Sequence, residues 1–141
     1  MGGNFTNVNN NGAPLPTADY VAKWNGSDWS ALGSNGWSDG SLNSHVNAIA
    51  ISGTDVYVGG FFLNVGNNGT SLTAADYVAK WNGSAWSAPG TNGANNGPLH
   101  DTVSAIAISR TQVSVGGHFP HVNTPATTHH AAHTLAKLQR S

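Results

Sequence analysis

Ala75-Asp76-Tyr77-Val78-Ala79-Lys80-Trp81-Asn82-Gly83-Ser84 repeats the segment Ala18–Ser27 residue for residue, 57 positions further along the chain. A glycine doublet keeps the same step: Gly2-Gly3-Asn4-Phe5, Gly59-Gly60-Phe61-Phe62 and Gly116-Gly117-His118-Phe119. A weaker third copy of the first motif, Ala132-His133-Thr134-Leu135-Ala136-Lys137-Leu138, stands where the period requires it. A fixed period of this length marks units that cannot bury their apolar faces alone and must stack on neighbours.

Each unit reads as four short strands. In the central copy these are Val46–Ile51, Val56–Gly60, Tyr77–Trp81 and Ala85–Ser87. The first strand, with its counterpart Val103–Ile108, is apolar on both faces: Val103, Ala105 and Ala107 on one, Ile106 and Ile108 on the other. That pattern predicts burial on both sides. The third strand sets Tyr77, Ala79 and Trp81 against Val78 and Lys80, and Asn82-Gly83 predicts a two-residue hairpin turn into the fourth. No helix-period pattern occurs, so the chain is expected to be all-β. Two connections are long, Leu63 to Ala75 and Ala88 to Thr102. Antiparallel strands alternate in direction, so both leave the sheet on the same side. Function concentrates on loops held by a rigid scaffold, and this face is where it is expected.

The apolar strand, tight turn, Gly-Gly strand end and aromatic strand are similar to kelch-type β-propeller blades. The residues carrying the likeness are Val56-Tyr57-Val58-Gly59-Gly60, Tyr77, Trp81 and Trp86, with Gly2-Gly3, Tyr20, Trp24 and Trp29 in the first copy. The 57-residue period is longer than the usual kelch unit of about 50. The resemblance implies four-stranded antiparallel blades: a partial blade over 1–45, a complete one over 46–88 with the loop 89–102, and a partial one over 103–141. It also implies a secreted or cell-surface setting of bacterial repeat type. A propeller has about four to eight blades, so roughly two and a half make an incomplete ring. The expectation is a fragment that forms homo-oligomers through its open edges, because an unpaired apolar edge is a template for pairing.

Only 8% of the residues are charged, the net charge is −1, and the six acidic residues are all Asp. That gives no electrostatic footprint for nucleic acid, and no apolar run reaches membrane-spanning length. Cysteine is absent, and neither a Gly-x-Ser-x-Gly elbow nor a phosphate-cradling glycine loop occurs.

Candidate site residues fall in three sets. Trp37 and Asp39 lie in Ser34-Asn35-Gly36-Trp37-Ser38-Asp39-Gly40. A Trp among Asn, Ser and Asp suits a sugar-stacking or protein-contact site, and equally suits a ring folded under its own loop. The adjacent pair His100-Asp101 suits acid–base catalysis. His118, His121, His129, His130 and His133 fall within sixteen residues of the third copy and suit zinc, while loop Asp and Asn oxygens suit calcium. The alternative for the histidines is a solvated loop. The chain is thus expected to be a binding module for glycan or protein. The alternative is a calcium- or zinc-dependent hydrolase of esters or lactones, in which the metal activates water.

Overall fold

The computed structural model describes residues 1–110, 112–123, 128–129 and 135–139. The β-branched and aromatic runs all form strands, and no helix occurs among the described residues. The chain is all-β, built from several small antiparallel sheets. The central unit is a four-stranded meander. Val46–Ser52 pairs Asp55–Gly60, which pairs Val78–Trp81, which pairs Trp86–Ser87. In the third unit Val103–Ser109, Gln112–Gly117 and Leu135–Gln139 form three strands in the same order. The first unit contributes Ala22–Trp24 with Trp29–Ala31, and Gly2 bridges to Val21.

The apolar core lies between units. One cluster joins Val21, Leu32 and Leu42 of the first unit to Val46, Val58, Phe62, Val65, Ala79 and Trp86 of the second. The other joins Tyr57 and Val78 of the second to Leu99, Val103, Val113, Val115, Phe119 and Val122. The alternation along the central sheet explains the split. Val58 faces Ala79 across the ladder and both turn toward the first unit, while Tyr57 and Val78 turn toward the third. Neither face of that sheet would be buried without a neighbouring unit.

Four features depart from the sequence reading. Val46 and Ile49 share a face, as do Val103 and Ile106, because a β-bulge follows the first residue of each strand. An extra residue in one strand of a pair reverses the alternation beyond it. Val46 and Ile49 thereby close around Gly2, where a Cβ would stand 2.6 and 2.8 Å from them, and Val103 and Ile106 close around Gly59. The first strand is also the edge of its sheet and is not buried on both sides; Ile51 is 67% exposed. Asn82-Gly83 is not a two-residue turn. Four residues separate the partners Trp81 and Trp86, and Asn82 Oδ1 accepts the N–H groups of Ser84 and Ala85. The Asn-Gly pairs that do form two-residue turns are Asn11-Gly12 (φ 53° and 92°) and Asn68-Gly69 (φ 49° and 93°), within hairpins that occupy the long second-to-third connection. Positive φ at both centres is the geometry that continues strand twist through a two-residue loop. Finally, Tyr77 has φ 63° and packs with Val78 toward the third unit instead of alternating with it.

Candidate ligand-binding clefts

The connection after the first unit's outer strand docks on the second unit's hairpin. Gly66 N–H donates to Ser41 O (2.8 Å), Asn68 N–H to Ser34 O (3.0 Å) and Gly69 N–H to Asn35 O (3.1 Å). The loop is braced internally as well: Asn35 Oδ1 accepts the N–H of Trp37 (2.8 Å) and of Asp39 (3.3 Å). Bonded at both levels, the loop backbone is held in place against the hairpin.

Between them lies a cleft of about 440 Å³ lined by Asp19, Tyr20, Asn35, Trp37, Asp39, Asn43, Asn64 and Thr70, among others. Trp37 is 83% exposed and is not folded under its loop. Both sequence-predicted ligand-binding residues therefore share one cleft. Asp19 stands behind them, buried, with Oδ1 accepting Asn7 N–H (2.8 Å) and Oδ2 accepting Gly40 N–H (3.3 Å). The Asp39 carboxyl lies within hydrogen-bonding reach of the Asp19 carboxyl. That bond, followed by burial and by the Asp19 charge, raises its pKa above the usual carboxylate value.

Asp19 was not singled out as a site residue, because its recurrence as Asp76 reads as a structural turn. It does serve as one, since its oxygens satisfy loop N–H groups, but it also meets Asp39 across the cleft. Tyr20 was missed as well. Its φ of 64° places the ring at the cleft, and backbone bonds through both its N–H and its C=O hold that conformation. A bulky side chain in the left-handed region is unusual, and such strain persists only where the surroundings over-determine it. Conformation at a single residue leaves no mark in sequence spacing.

The period generates a second cleft, of about 280 Å³, between the second unit and the connection that follows its outer strand. It is lined by Leu63, Asn64, Asp76, Tyr77, Asn96, Leu99 and His100. Asp76 repeats the role of Asp19, accepting Asn64 N–H (2.9 Å) and Gly97 N–H (3.4 Å). Several positions change: Leu63 replaces Thr6, Ala94 replaces Trp37, Asn96 replaces Asp39, Pro98 replaces Ser41 and His100 replaces Asn43. His100 packs against His121 with ring centroids 4.7 Å apart, and its Nε2 lies 2.7 Å from Asn123 Nδ2. Burial, then the charges of Asp101 and Asp76, push the Tyr77 hydroxyl pKa up. Asp101 is held below the ordinary range by the Thr102 backbone N–H and hydroxyl, with a smaller contribution from His118.

Among the described residues no three His, Cys, Asp or Glu side chains stand together as a metal cluster. His100 and His121 do come together. Of the other histidines, His129 belongs to the strand Thr128–His129, while His130 and His133 lie outside the described residues. No family model matches this chain, and no curated protein or solved structure matches it.

Proposed function

We propose that the chain is a run of kelch-like propeller blades that binds glycan through its long-loop face, in the cleft between the first two units. The observation that carries this is Trp37: an indole 83% exposed on a braced loop, at a cleft supplying carboxylates, amides and hydroxyls. A flat aromatic face covers the C–H face of a pyranose, and the polar lining takes its hydroxyls. Glycoside hydrolysis fits less well, because Asp19, the cleft's second carboxylate, is buried with both oxygens engaged by backbone N–H groups.

Self-association through the first unit belongs to the same proposal. Trp81 and Trp86 pack against the connection from the preceding unit: Trp86 Nε1–H donates to Leu32 O at 2.6 Å, and Gly33 sits against both rings. Trp24 and Trp29 form the same tilted pair, at 5.3 Å against 5.4 Å, yet Trp24 is 48% exposed. A second copy laid on that pair would restore the cover. The glycan reading is tested by array binding of wild-type protein and of Trp37→Ala, with abolished binding in the variant expected. Unchanged binding would remove the first cleft from the account.

A further inference from the structure

We infer that the first cleft takes an amino sugar, a hexosamine whose free ammonium meets the Asp39 carboxylate while its ring stacks on Trp37. The inference rests on reading that cleft as a saccharide site, and adds the class of sugar it selects.

The lining carries negative charge with nothing to offset it. Asp19 and Asp39 both line the cleft, and among the described residues no Lys, Arg or His does. The two carboxylates play different parts. Asp19 is buried with both oxygens engaged by backbone N–H groups, so it contributes charge. Asp39 is exposed on the loop above it, and its carboxylate can accept a bond from a ligand. The pressure between them shows at Asp39, whose pKa is raised by its contact with Asp19. A ligand cation relieves that repulsion, and a charge-assisted N–H···O bond is about twice as strong as a neutral one.

Trp37 stands in the same turn. Asn35 N–H donates to Asp39 O (3.1 Å), and Asn35 Oδ1 accepts the N–H groups of Trp37 and Asp39, so one residue ties the two together. A pyranose stacked on the indole presents its substituents at the ring edge, in the cleft that holds the carboxylate. An ammonium gains there a second time, because aromatic faces attract cations. The Tyr20 hydroxyl and the Asn43 and Asn64 amides remain for the sugar hydroxyls. An acetylated amine keeps the ring and loses the charge, and a uronate meets two carboxylates. The free amino sugar is the class that both features select. The second cleft carries Ala94 and Asn96 at these two positions and offers neither feature there.

The test uses the full chain and calorimetry with two probes, the glucosamine tetramer and its N-acetylated form, at a pH above the Asp39 pKa and below that of the amine. The free-amine tetramer is expected to bind wild type about tenfold more tightly than the acetylated one. That margin should shrink as added salt screens the charges. Asp39→Asn is expected to abolish the margin and leave the acetylated tetramer unaffected, and Trp37→Ala to lose both. Asp39 is exposed and its counterpart is Asn96, so the fold tolerates the first change. Equal binding of the two tetramers, binding of neither, or a margin that survives in Asp39→Asn would overturn the amino-sugar assignment. So would tetralysine binding as tightly as the glucosamine tetramer, since charge alone would then explain it. In each case the glycan reading would still stand on array binding that Trp37→Ala abolishes. Absence of array binding as well would remove both.

Discussion

At the residue scale, polar groups reveal most about what the molecule tolerates. Tyr57 is 1% exposed, and its hydroxyl has no hydrogen-bond partner among the described residues. A buried hydroxyl left unsatisfied costs about 1–3 kcal/mol. Tyr57→Phe is therefore expected to raise unfolding stability by about 1 kcal/mol in urea titrations; a loss of that size would mean the hydroxyl has an undetected partner. Asp39 makes a pH prediction. Its folded-state pKa is raised, first by the hydrogen bond that its protonated carboxyl donates to Asp19. The protonated form is therefore the one folding favours. Its contribution is complete below the ordinary value of 3.8 and fades as pH rises through the raised value. Carboxyl carbon shifts should show Asp39 titrating above 3.8 in the wild type and returning toward it in Asp19→Asn. An unmoved titration in the variant would separate the two carboxyls.

At the element scale, the second glycine of each doublet sets how closely the first two strands of a unit pair. A Cβ on Gly60 would lie 2.2 Å from His45 O, and one on Gly117 2.0 Å from Thr102 O. Backbone cannot yield as a side-chain tip does. Gly60→Ala is expected to cost about 3 kcal/mol, the upper end of overpacking losses, measured as a fall in the denaturation midpoint. A cost below about 1 kcal/mol would show that the paired strand yields. Strand order, the tight approach at the doublets and the shared loop face were legible in the sequence, because period-2 alternation and the 57-residue repeat express them directly. The bulges were not legible. Val46-Asn47-Ala48-Ile49 reads as plain alternation, and only the partner strand reveals the extra residue. The hairpins were legible but overlooked: Asn11-Gly12 and Asn68-Gly69 carried the turn signal that was assigned to Asn82-Gly83. Trp37 and Asp39 could be picked out individually. Their meeting with Asp19 and Tyr20 is a product of loop docking across units, which no local pattern encodes.

At the scale of the whole molecule, both cores and the larger cleft lie at boundaries between units. Stacking thus creates stability and sites together. The tryptophan pairs make that measurable. Trp86 is 3% exposed, and Trp86→Ala should cost about 3–5 kcal/mol. Trp24→Ala should cost less than about 1 kcal/mol in the monomer and reduce the association seen by sedimentation; association unaffected by the change would place the contact elsewhere. The central claim, glycan binding at the first cleft, is tested most directly by one glycan array probed with wild type, Trp24→Ala and Trp37→Ala. Binding by the first two and loss in the third is the predicted result. Binding retained in Trp37→Ala, or absent from the wild type, would contradict it.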